Sequence, residues 1–181
     1  MLEVKYRTLP KTFLMILKFL SKNFYISFSI VILIYFLDRL SKIYVIQLDK
    51  NNLGSDIFNS AYLNIVLIWN KGIAFGLLSF SESYLYNIIS LIIAIIIIVL
   101  VIMSLKSQGL KRYSLLMIVG GALGNLHDRF FFNAVPDFID FHIGNFHWFI
   151  FNVADIFISV GVISMIIFEI INDNKKKHEQ L

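Results

Sequence analysis

From Ser83 to Leu105 the chain runs for 23 residues without a charged side chain. As a helix rising about 1.5 Å per residue, that segment is about 35 Å long, enough to cross a hydrocarbon core of about 30 Å. A bilayer then dictates the rest of the fold, because backbone left unpaired in lipid costs several kcal/mol. Three further apolar segments stand out, roughly Phe24 to Leu37, Tyr113 to Leu126 and Asn152 to Ile171. The mean hydropathy of +0.77 agrees with a polytopic membrane protein rather than a soluble one. The expected fold is a mainly α membrane protein of one domain, residues 1–181, built as a four-transmembrane-helix bundle. Its helices are predicted at roughly 24–42, 83–105, 113–130 and 152–171, followed by a basic tail at 172–181.

Charge placement orients this bundle. Lysine and arginine number five before the first segment, three at 106–112 and three at 175–177, whereas the loop from Phe130 to Phe151 has none. By the positive-inside rule both termini and the 106–112 loop are cytoplasmic. The basic N-terminus followed by Phe13 to Leu20 looks like a signal peptide, but no small-residue cleavage site follows, so it reads as a retained, interfacial lead-in. The net charge of +4 reflects this topology and not a nucleic-acid surface. With no cysteine there is no disulfide framework or thiolate nucleophile, and His127, His142, His147 and His178 lack a metal-ligand spacing, so no metal or cofactor is expected.

Between the first two helices the pattern changes. "SAYLNIVLIW" is rich in β-branched and aromatic residues, "NNLGSD" reads as a turn, and "NKG" separates the first of these from "IAFGLL". Strands cannot stay open in hydrocarbon, so residues 44–80 are expected to form a small extracytoplasmic sheet or hairpin at the outer surface.

Ionisable groups gather near the outward ends of three helices, where charge at membrane depth costs a few kcal/mol. Asp38 and Lys42 are spaced i, i+4 and can neutralise each other, which favours a structural polar pair over a catalytic one. The third apolar stretch, 14 residues, is only about 21 Å long, so its helix must continue through His127, Asp128 and Arg129. Asn125, Asp128 and Arg129 then share a face, and Gly120 and Gly124 permit close approach of another helix. A satisfied interfacial cluster and an active-site wall suit that trio equally. The fourth helix opens with Asn152 as a cap and Asp155 in its first turn, next to the apolar span. Just upstream, Pro136 forces an extended entry, and Asp137 and Asp140 lie on a bent segment among phenylalanines.

Two carboxyl groups close together in an apolar site share a proton near neutral pH. The ionised one draws a proton from water while the protonated one hydrogen-bonds a scissile carbonyl, the logic of an aspartic protease. Asp38, Asp128, Asp137 and Asp155 all qualify by depth, and spacing alone does not choose among them. A Ser41–Lys42 dyad is disfavoured because adjacent helical residues point to different faces. Proton relay in a transporter is the main rival, but it needs ionisable groups through the bilayer depth, and Ser83 to Leu105 offers none.

The same residues carry a resemblance. "LDRLSK" (37–42), "WNKGIAFG" (69–76), "GGALGNLHDR" (120–129), "VPDFIDF" (135–141) and "FNVADIFISVG" (151–161) resemble, in order and spacing, the motif blocks of lipoprotein signal peptidase, the type II signal peptidase of bacteria. The resemblance implies an intramembrane aspartyl peptidase that cuts prolipoproteins before a diacylglyceryl-modified cysteine at the outer face of the cytoplasmic membrane, in contact with membrane lipid and acting as a monomer. It implies Asp137 and Asp155 as the catalytic pair and Asp128 as a supporting residue. Asp38 and Lys42 would brace the first helix, and Asn70, Asn125, Arg129 and Asn152 would hold the site or the substrate backbone. Arg39 and Pro136 depart from the family pattern beside functional positions.

Overall fold

The computed structural model describes residues 22–51, 57–72 and 83–178. The lead-in at Phe13 to Leu20, most of the "NNLGSD" turn and the "IAFGLL" block lie outside the described residues. Four helices and one four-stranded sheet make up the described chain. In order these are α1 (Lys22–Asn51), β1 (Phe58–Asn59), β2 (Leu63–Asn70), α2 (Ser83–Lys106), α3 (Gly109–Phe132), β3 (Val135–Ile143), β4 (Phe146–Phe151) and α4 (Val153–His178).

Among the described residues three helical stretches are long and apolar enough to cross a membrane, Phe24–Asn51, Tyr86–Lys106 and Val153–Asp173. Each buries little of itself against protein, and on α2 Ile92, Ile95, Ile96, Ile98 and Ile102 are exposed, as lipid-facing helices require. Helix α3 is different. It packs against the other three helices and buries most of the stretch from Ser114 to Gly121, with Leu115 and Val119 nearly inaccessible. Small residues allow this. A Cβ at Gly120 would sit 2.9 Å from Ile34 and one at Gly124 would collide with the Asp38 carboxylate, so α1 lies directly on that ridge. Gly121 and Gly161 do the same for the α3–α4 contact, against Ala154 and Ser114 respectively.

Helix α1 corrects the expected β region, because Tyr44 to Asn51 continue the helix. The strand signal of "SAYLNIVLIW" does not reach back to Tyr44, because Asp38, Lys42 and Val45, all buried, follow helical spacing along one face. Similarly, the residues expected as a separate tail extend α4 to His178, since Asn, Asp, Lys and His at that end do not break a helix as Pro or Gly would.

The sheet is antiparallel throughout, in the order β1-β2-β3-β4. It is not confined to the segment between the first two helices: half of it comes from residues 135–151, read from sequence as a bent return. Asn133 ends α3 in the left-handed conformation (φ 52°), and Gly144 (φ 58°) with Asn145 makes the two-residue β3–β4 turn. Pro136 is tolerated in this inner strand because β3 begins pairing with β4 only at Ile139. One end of the bundle therefore carries the sheet, the C-terminal half of α3 and the start of α4. The α2–α3 turn lies at the other end.

Candidate active site

Strand pairing brings the first acid and its partner together. Asn70, the last residue of β2, sits opposite Val135, so its side chain shares a face with Asp137 two positions along β3. The Asn70 amide Nδ2 donates to Asp137 Oδ2 at 2.9 Å. Asn152, where β4 gives way to α4, donates from Nδ2 to Asp137 Oδ1 at 2.6 Å. The second acid is set by the start of α4. The Asp155 backbone N–H donates to Asn152 Oδ1 (3.1 Å) and the Asn152 N–H donates to Asp155 Oδ2 (3.2 Å), a reciprocal cap of the helix. Across from it, Asn125 of α3 donates from Nδ2 to Asp155 Oδ1 at 2.8 Å. Each of the four carboxylate oxygens thus receives one neutral N–H.

The three asparagines have no freedom to turn over. The Oδ1 of Asn70 accepts the Gly72 N–H at 2.7 Å, that of Asn125 accepts the Lys42 ammonium at 2.8 Å, and that of Asn152 accepts the Asp155 N–H. With each carbonyl committed to a donor, each NH2 must face an acid.

Asp137 and Asp155 line one cavity of about 200 Å³, with Asn70, Asn125, Arg129 and Ser159 as its other polar walls. Both acids are buried, at 2% and 6% exposure. Burial pushes the Asp137 carboxyl up to about 6; the negative charge of Asp155 adds to this, and the Asn70 and Asn152 amides oppose it.

A second group of charges adjoins the cavity. Lys42 is 2.9 Å from the Asp38 carboxylate and 2.7 Å from Asp128, while Arg39 reaches both oxygens of Asp128 at 2.7 and 2.6 Å and Asp38 at 3.1 Å. Two acids and two cations, all at least nine-tenths buried, neutralise one another. The cluster holds the cavity from behind. Lys42 orients Asn125, and Asp38 Oδ1 accepts the Ala154 N–H at 3.0 Å, tying α1 to the first turn of α4.

The structure therefore divides the four candidate acids, with Asp137 and Asp155 on the cavity and Asp38 and Asp128 in the ion cluster. Asn70, Asn125, Asn152 and Arg129 fall with the first pair, and Lys42 with the second. Sequence reasoning missed Arg39, which it treated only as a departure. The available signal was charge balance: Asp38 and Asp128 against Lys42 alone leave one buried negative charge. It also missed Gly72, whose N–H orients Asn70 and whose carbonyl accepts Arg129 Nη2 at 2.5 Å. His127 is turned away from the cavity, bonded through Nδ1 to the Tyr35 hydroxyl at 2.8 Å and stacked near Phe131. Asp140 contacts His147 on the sheet, at 2.8 Å.

The family model for signal peptidase (SPase) II matches residues 30–171. A lipoprotein signal peptidase of Pelagibacter ubique is 47% identical over 159 residues, covering 88% of this chain and 96% of the relative. One from Anaplasma phagocytophilum is 42% identical over 135 residues, covering 74% and 85%. Among solved structures, a bacterial membrane enzyme determined by the in meso method at 2.3 Å resolution superposes with a TM-score of 0.66 at 30% identity, over 83% of this chain and 90% of its own. A second, at 1.9 Å, gives a TM-score of 0.64 at 32% identity, over 78% and 90%. The family match encloses every residue of the cavity and of the ion cluster, and the Pelagibacter relative aligns over almost its whole length: this chain belongs to the signal peptidase II family.

Proposed function

We propose that the chain is an aspartic endopeptidase that removes signal peptides from prolipoproteins, hydrolysing the peptide bond N-terminal to a diacylglyceryl-modified cysteine, with Asp137 and Asp155 as its catalytic pair. The observation that carries this reading is that, among the described residues, two buried carboxyls on one cavity accept hydrogen bonds from neutral N–H groups and neither is paired directly with a cation. A pair of this kind titrates as a unit and retains one proton well above the ordinary carboxyl range. The ionised member takes a proton from water as its oxygen bonds to the scissile carbonyl carbon, and the protonated member donates a hydrogen bond to the carbonyl oxygen. The tetrahedral intermediate then breaks its C–N bond, and the proton gained from water passes to the departing cysteine amine. Asn70, Asn125 and Asn152 hold the acids in register, and Arg129 holds substrate backbone.

The membrane arrangement follows from the same reading. Helix α3, 24 residues and about 36 Å long, makes the fourth crossing. Its Asp128 and Arg129 reach membrane depth with protein partners around them, which removes most of the cost of bringing them there. Both termini and the Lys106–Arg112 turn face the cytoplasm, and the sheet and cavity face the outer side. The substrate's acyl chains stay in lipid beside the apolar helices while its peptide enters beneath the sheet. In this reading the enzyme acts as a monomer.

A synthetic prolipoprotein peptide carrying diacylglyceryl cysteine, added to the purified protein in detergent or bicelles, tests the proposal. Mass spectrometry of the products is expected to give a new N-terminus at the lipidated cysteine, with the unlipidated peptide left uncut. Cleavage elsewhere, or equal cleavage of both peptides, sinks it.

A further inference from the structure

Arg129 is 5% exposed, yet only part of its guanidinium is used. Nη2 donates to the Gly72 carbonyl, while Nε and Nη1 are buried with no hydrogen-bond partner among the described residues. Buried guanidinium groups are ordinarily paired edge-on with a carboxylate, which consumes these donors. Here the neighbouring acid, Asp128, is already held by Arg39 and Lys42. What meets Arg129 instead is an aromatic face: the Tyr86 ring of α2 lies 5.3 Å from the guanidinium carbon, and Tyr86 is itself only 6% exposed. The Tyr86 hydroxyl also lies near the guanidinium but makes no well-formed hydrogen bond among the described residues, so the ring face is the better-defined contact.

An aromatic face attracts a cation without accepting its edge N–H groups. The guanidinium is thereby fixed while Nε and Nη1 stay unpartnered among the described residues, in the wall of the cavity. Its contact with Gly72 also matters to the acids. The Gly72 carbonyl held by Arg129 belongs to the same residue whose N–H sets Asn70, and Asn70 donates to Asp137. A single line of contacts therefore runs from Tyr86 through Arg129, Gly72 and Asn70 to the acid.

We propose that Tyr86 is a positioning residue: its ring holds the Arg129 guanidinium so that Nη2 secures the Gly72–Asn70 corner while Nε and Nη1 are presented to a carbonyl oxygen of the substrate peptide. This rests on the peptidase reading for its substrate and on the geometry alone for the Tyr86–Arg129 contact.

Four variants test it: Tyr86→Phe, Tyr86→Leu, Arg129→Gln and the Tyr86→Leu/Arg129→Gln double. Phe keeps the ring and is expected to hold kcat/KM within about threefold, whereas Leu is expected to lose about thirtyfold, the value of a desolvated cation–π contact. Because Tyr86 acts through Arg129, the Leu substitution is expected to cost less than about twofold in the Gln background. Additive losses in the double variant, or equal losses for Phe and Leu, overturn the proposal. A second readout does not depend on turnover. The Arg129 Nε–H resonance is expected to be ring-current shifted in the wild type and in Phe, and to lose that shift in Leu. No shift in the wild type overturns the positioning role even if the enzyme is active. A shifted signal in a protein that leaves the lipidated peptide intact would refute the peptidase reading and leave the contact standing.

Discussion

Two sets of buried carboxylates lie side by side in this protein and have opposite partners. Asp38 and Asp128 are met by Lys42 and Arg39 at hydrogen-bonding distance, so two formal negative charges are offset by two positive ones. Asp137 and Asp155 are met by asparagine amides and a backbone N–H, which orient each oxygen without cancelling charge. On the proposed reading, the nature of the donor separates a structural acid from a reactive one: a cation offsets the carboxylate charge, and a neutral amide orients the carboxyl without offsetting it.

The largest consequence of this contrast is in turnover. Asp137→Asn or Asp155→Asn keeps the shape of the cavity but removes the transferable proton, so cleavage of a lipidated peptide is expected to fall by about 10⁴-fold or to background. Substantial cleavage by either variant would erase the distinction between the two sets. The ion cluster should answer in stability instead. Lys42→Met strands a buried negative charge and is expected to cost about 3–5 kcal/mol, read from unfolding in mixed detergent micelles. Pairing it with Asp38→Asn should recover part of that loss.

The pH dependence of stability sharpens the contrast further. An ordinary aspartate titrates near 3.8 and Asp137 near 6, so the folded protein holds its proton where the unfolded chain has lost it. Stability contributed by this group is complete at low pH and is lost as pH rises from about 4 to about 6, by up to about 3 kcal/mol. Asp137→Asn should abolish that slope, and unfolding midpoints measured across pH 4–7 will detect it. An unchanged slope would mean that Asp137 is not the perturbed group. The smallest effect belongs to the amides. Asn70→Ala removes a donor that favours the ionised form of Asp137, so the alkaline limb of the kcat/KM profile should move to higher pH, with about a tenfold loss of rate from the freed carboxylate. A shift to lower pH would contradict the role given to Asn70.

Much of this was readable from the chain before folding. Helix α2 was legible because a long uncharged run has few alternatives, and Gly120 and Gly124 correctly marked a helix contact. The continuation of α1 through Asn51 was obscured because its helical face shows only once Asp38, Lys42 and Val45 are seen buried together. Strands β3 and β4 were hidden for a related reason. Their pattern of buried and exposed positions depends on the β2 edge, and β2 precedes them by more than sixty residues.

The sequence by itself determined that the protein lives in a bilayer, that ionisable groups cluster near one end of its helices, and that its motif blocks match a peptidase family. Those are properties of local hydropathy and order along the chain, and they persist in an unfolded polypeptide. Only the tertiary structure decided which acids are neutralised. That depends on contacts such as Lys42 with Asp128, 86 residues apart, and Asn70 with Asp137, 67 apart. A carboxyl's proton is governed by whatever stands within a few ångströms of it, and those neighbours are assembled by the fold.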